Sequence, residues 1–95
     1  MMTIQKENYG DYSSSNYGSH TQRIIVGNLS LWFSYNTCVA FCVSGRSTKV
    51  HENTWGPTTG KHLNWIDGGD KKNRLSHEEF NIALDRELNE AGFQI

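Results

Sequence analysis

Hydrophobic and polar positions change their rhythm three times along this chain. Arg23 to Val26 is rich in β-branched residues and ends at Gly27-Asn28, a good turn signal. Leu29, Leu31, Phe33 and Tyr35 then alternate with Ser30, Trp32, Ser34 and Asn36, a period of two that predicts a strand with one apolar face; Trp32 falls on the otherwise polar side. Cys38 to Val43 is apolar throughout and predicts a central strand covered on both faces. Past the turn at Ser44-Gly45-Arg46-Ser47, Thr48 to Asn53 reads as a fourth, more polar strand near a sheet edge. The last rhythm is helical. Phe80, Ala83, Leu84, Leu88 and Ala91 recur at helix spacing, broken only by Glu87. Ser76 and Glu79 form a capping box at the start, and Gly92 is placed to stop the helix. The helix is expected to lie on the sheet face that carries Leu31 and Phe33.

Between strands and helix, Asn53 to Asp70 has no clean period, yet it holds two tryptophans, four glycines and the only proline. Tryptophan is unfavourable in a mobile loop and glycine is entropically costly to order, so this density predicts a long structured loop, with Trp55, Leu63, Trp65 and Ile66 partly buried. The resulting fold class is α+β: a three- or four-stranded antiparallel sheet, one C-terminal helix and a long structured loop. Residues 1–18, polar and rich in Ser, Asn, Gly and Tyr, read as a flexible tail, and 19–95 as a single domain.

The chain has 95 residues, so its core is small and a homodimer fits its size. Nine Lys and Arg stand against ten Asp and Glu, which excludes a whole-molecule electrostatic grip on nucleic acid or an anionic membrane. The distribution is uneven, however. Arg46, Lys49, Lys61, Lys71, Lys72 and Arg74 make one stretch basic, while Glu78, Glu79, Asp85, Glu87 and Glu90 make the helix acidic. The cysteines, Cys38 and Cys42, share a face of an ideal strand but lie about 13 Å apart, too far to bridge. With no signal peptide and no apolar span near the ~18 residues of a membrane helix, they point to the cytoplasm, the reducing interior of a host cell.

Candidate chemistry is weak. Gly56 to Lys61 is one residue short of a P-loop, and His62 stands where the metal-binding hydroxyl belongs. Gly68 to Phe80 has the cadence of a calcium loop without its oxygen ligands. The cysteines and the four histidines lack metal spacing, so no metal and no cofactor is expected. His62, Asp67, Lys61 and Thr59 are the only acid–base set within one segment, and polar residues of a loop usually serve the loop itself. The expectation is therefore that the protein is not an enzyme.

N-Y-G-S-H, L-W-F-S-Y-N-T-C-V-A-F and E-N-T-W-G-P-T-T-G-K-H-L-N-W-I-D-G-G resemble a group of short proteins of unknown function from phages, plasmids and bacterial genomes, across Tyr9 to Phe80. The resemblance implies a mobile-element setting and a small α+β domain; it supplies no catalytic residues. The expected function is that of a phage-type accessory protein that binds a host or phage protein and no membrane. The alternative is a nucleic-acid-binding module. In either case the expected binding residues are Trp55, Thr58, Thr59, Lys61, His62, Trp65, Lys71, Lys72 and Arg74.

Overall fold

A computed structural model describes residues 4–9 and 21–90. Five antiparallel strands lie in chain order: β1 (Ile4–Asn8), β2 (Thr21–Val26), β3 (Leu29–Ser34), β4 (Thr37–Val43) and β5 (Lys49–Val50). Helix α1 (Pro57–Asp67), a 3-10 turn at Lys71–Asn73 and helix α2 (His77–Glu90) follow. The α+β class and the antiparallel sheet are as the pattern predicts. Two features enlarge the expected fold. Ile4–Asn8, within the span read as a tail, pairs with β2 as an edge strand, and the centre of the segment read as a long loop is α1. The tail residues 10–18 and Gly92 lie outside the described residues.

The meander is tight because its turns are short. Gly27 takes a left-handed conformation (φ 60°) between β2 and β3, which glycine adopts without steric cost. Tyr35 takes one (φ 57°) between β3 and β4, unusual for a bulky residue. Beyond β5, His51 bridges Leu75 in parallel, so the strand leading into α2 is tied to the sheet: Leu75 N–H donates to the Val50 carbonyl and Glu52 N–H to the Leu75 carbonyl, both at 2.8 Å.

Each sheet face carries its own helix. On one, Leu29, Phe41 and Phe80 form the buried centre, with Leu31, Val43, Leu75, Ala83, Leu84 and Leu88 around them. Phe80, Ala83, Leu84 and Leu88 of α2 meet Leu31 as expected; Phe33 is not part of this cluster, and Ala91 lies outside the described residues. The Ser76–Glu79 capping box closes reciprocally at 3.2 Å in both directions and holds the Glu79 carboxyl below its usual range. On the other face, Val39, Ala40, Val50 and Leu63 are buried, with Trp32 and Ile66 against them. Helix α1 thus supplies the cover that an apolar β4 requires.

The register of β4 corrects one reading. Trp32 pairs with Ala40 but Phe33 with Cys38, so Val39 is the extra residue of a β-bulge. An extra residue inverts the alternation beyond it. Cys38 therefore joins the α2-side cluster, while Cys42 pairs with Ser30 on the α1 side. The two cysteines lie on opposite faces and are free thiols. Burial pushes the Cys38 thiol up to about 12, which leaves it an inert core group.

Candidate functional site

Nine of the residues expected to bind lie on α1 or beside it, and the helix sorts them by direction. Gly56 precedes it, Pro57 fills the first helical position, where the missing N–H is harmless, and Gly68 ends it in a left-handed conformation (φ 68°). Thr59, His62, Leu63 and Ile66 fall on the inner side; Lys61, Asn64 and Trp65 fall on the outer side.

The inner side is a polar lock. His62 is 0 % exposed, and its Nδ1 lies 2.7 Å from Ser34 Oγ, which is itself 3.0 Å from Thr59 Oγ1. The rings of Tyr9 and Tyr35 flank His62 at 6.3 and 6.0 Å. A serine beside a histidine is also the geometry of an activated nucleophile, but Ser34, Thr59 and His62 are all buried, so no substrate carbonyl can approach Oγ. This trio fixes α1 to the end of β3. His62 and Thr59 are accordingly interior residues of the site. Of the acid–base set named from the sequence, Thr59 and His62 meet through Ser34, while Asp67 is held by Arg74.

Arg74 is likewise committed. Its Nε and Nη2 grip the two oxygens of Asp67 at 2.7 and 2.9 Å, and Nη2 also reaches Asn64 Oδ1 at 2.9 Å. Burial alone would raise the Asp67 carboxyl; the paired hydrogen bonds and charge of Arg74, with the Gly69 amide, outweigh it and hold the carboxyl below its usual range. The clamp joins the end of α1 to the approach of α2. Near it, Glu52, Asn53, Gly60, Asn64, Lys71 and Arg74 line a shallow groove.

What remains outward is aromatic and basic. Trp65 is 47 % exposed, and its ring packs on Tyr9 at 5.4 Å and 34°. Tyr9 is buried and fixed, its hydroxyl donating to the Phe33 carbonyl at 2.7 Å and its N–H to the Thr21 carbonyl at 3.0 Å. Burial, with a smaller contribution from Cys38, raises the Tyr9 phenol well above its usual value, so it stays a neutral donor. Trp55 is 43 % exposed and lies on the His51 ring at 4.7 Å. Both tryptophans are more exposed than the loop reading implied: α1 directs Trp65 outward, whereas Leu63, two residues earlier, is the side chain that enters the core. Lys61 sits one turn before Trp65 on the same outer side, while Thr58 is half-buried in the first turn. Lys61, Lys71 and Lys72 are exposed and make no ion pair among the described residues.

Sequence reasoning missed a second polar cluster on the α2 side. His51 is 2 % exposed and meets His77, which in turn meets Asn81. Only the His77–Asn81 step, four residues apart on one helix, leaves a local signal in the sequence. Among the described residues no group of three His, Cys, Asp or Glu side chains is arranged to hold a metal, and no helix is long and apolar enough to cross a membrane. No curated protein and no solved structure matches the chain. A family model covers residues 2–82, from before β1 into α2, and by that match the chain belongs to a family of unknown function, DUF8033.

Proposed function

We propose that this protein is a small non-enzymatic accessory protein of a phage or other mobile element, working in the host cytoplasm, that docks a host or phage protein on the outer side of α1. The observation that carries the reading is Trp65, a large apolar side chain left nearly half in water yet held from behind by the immobile Tyr9 ring. A preorganised aromatic that loses little entropy on docking is the usual energetic centre of an interface. Lys61 beside it, with exposed Tyr35 near the other side of His62, supplies a polar and aromatic rim. His51 and His62 are buried in hydrogen bonds that hold the fold together.

Lys61, Lys71 and Lys72, exposed and without an ion pair among the described residues, favour a second reading, a nucleic acid stacked on Trp65 with its phosphates on the lysines. Affinity capture with and without nuclease separates the two. Trp65→Ala abolishes nuclease-resistant capture of a protein while the melting temperature stays within a few degrees of wild type. Loss of the captured protein on nuclease treatment, or salt-sensitive oligonucleotide binding, transfers the site to nucleic acid. Capture unaffected by Trp65→Ala removes this face from the function. A homodimer through α1 would appear as a mass change on the same substitution.

A further inference from the structure

Two arginines of the chain have forks that are filled differently, Arg74 with its side chain 4 % exposed and Arg23 with its side chain 34 % exposed. In Arg74, the edge that carries Nε–H and Nη2 closes on both oxygens of Asp67. In Arg23, Nη1 takes Glu7 Oε1 at 3.1 Å, but the same Nε/Nη2 edge meets no acid: Nη2 has only the Ser30 hydroxyl at 3.1 Å, and Nε, shielded from solvent, has no partner among the described residues. The guanidinium is held in place by the Trp32 ring, 4.9 Å beneath it. A planar fork matches a carboxylate in geometry and charge, and a buried donor left unmet is destabilising, so an arginine fixed in this state is a receptor with half its site satisfied by a neutral placeholder.

The surroundings fit the same occupant. Arg23 pairs with Trp32, and Ile25 with Ser30, which pairs with Cys42, so these side chains share the α1 face of the sheet. Helix α1 packs on Val39, Ala40 and Val50 of β4 and β5, leaving a cleft of 390 Å³ over the β2–β3 half, with Arg23, Ser30, Asn28, Ser44 and Cys42 in its wall and Ile25 as an apolar element. Hydroxyls and an amide beside one guanidinium are a polar rim for a small charged head. Since Glu7 already balances the charge of Arg23, a monoanion is accommodated where a dianion is repelled. We infer that the Arg23 fork is a carboxylate-binding subsite: the Ser30 hydroxyl swings off Nη2 and opens the edge it covers, and the ligand's two oxygens then take Nη2–H and the Nε–H that the closed edge keeps from solvent. The carboxylate belongs either to a small free acid or to the C-terminus of a peptide. The subsite lies apart from Trp65 and stands whether or not α1 docks a protein.

The test is a titration of the uniformly ¹⁵N-labelled protein with sodium acetate at constant ionic strength, following the side-chain Nε–H signals of Arg23 and Arg74. The Arg23 signal shifts and saturates at millimolar acetate while that of Arg74 stays still. Glu7→Gln, an exposed change, tightens the binding several-fold because it removes the competing carboxylate. Arg23→Lys, read on the Ser30 amide, abolishes saturation although the charge is kept. Pentaglycine with a free C-terminus, compared with its amidated form, distinguishes the sources: saturation by acetate identifies a small acid, and saturation by the free peptide alone identifies a C-terminus. The inference is overturned if neither probe saturates, if both arginine signals move together as they do with chloride, or if Glu7→Gln leaves the affinity unchanged.

Discussion

His51 Nε2 and His77 Nδ1 lie 3.0 Å apart, and the hydrogen bonds on either side of them fix which one carries the proton. His51 Nδ1 is 2.5 Å from the Glu52 carbonyl oxygen, which only accepts, so that nitrogen is protonated. In the neutral ring His51 Nε2 then accepts, and His77 Nδ1 donates to it. His77 Nε2, left with a lone pair, accepts from the Asn81 amide at 3.0 Å. The chain runs in one direction, from α2 through both rings to the backbone after β5.

A directed chain predicts an asymmetric response to mutation. His77 is exposed, yet His77→Ala leaves the buried His51 Nε2 without its donor and should cost about 1–3 kcal/mol. Asn81→Ala leaves only the exposed end unmet and should cost less. Urea unfolding of the two variants checks the order. Long-range ¹H–¹⁵N spectra of the wild type should show both rings as Nδ1–H tautomers.

The acid branch of stability should report the Asp67–Arg74 clamp. The folded carboxyl is held below its usual value, so the clamp's contribution is fully present above about pH 4, where the unfolded carboxylate titrates, and disappears as pH falls through the lower folded value. Asp67→Asn is expected to lower the urea midpoint by a constant amount at pH 5–8. The gap should narrow below pH 4. A gap that stays constant down to pH 2.5 would show that the carboxylate charge is irrelevant there.

The two cores should weigh differently. Leu63, fully buried against Val39, Ala40 and Val50, should lose roughly 2–5 kcal/mol on Leu63→Ala. Leu84 is only partly buried beside Phe80, so Leu84→Ala should fall below that value in the same thermal melts.

These cores also show what was legible. Strands β2, β3 and β4 could be read from residues 23–43 because period two and β-branched runs are local signals, and α2 because Ser76 and Glu79 mark its start. Helix α1 could not be read so easily: Thr58, Thr59 and Gly60 are poor helix formers, and the helix exists because Leu63 and Ile66 cover β4. Pro57 at the start and Gly68 at the end were its available signals. The bulge at Val39 was hidden by its neighbours, since a run apolar on both faces carries no phase. At the site, charge and exposure of Lys61, Lys71 and Lys72 followed from composition, whereas the inward turn of His62 and the capture of Arg74 by Asp67 depend on which side of α1 each occupies.

The same logic separates the lysines from the helix acids in function. Lys71 and Lys72 sit in the exposed 3-10 turn without ion-pair partners among the described residues, whereas Glu87 on α2 is already held by Arg46 at 3.0 Å. Reversing the two lysines to Glu changes the local potential beside α1 by about four charges and disturbs no core contact, so folding should be unchanged within a few tenths of a kcal/mol. A partner docked on this side should then associate more slowly, with the difference shrinking as salt is raised. Reversing Glu87 and Glu90 should weaken the domain slightly through the lost Arg46 pair and leave association untouched. Surface-plasmon association rates at two salt concentrations decide it: if the Glu87/Glu90 variant is the slow one, the binding surface belongs to α2 and not to α1.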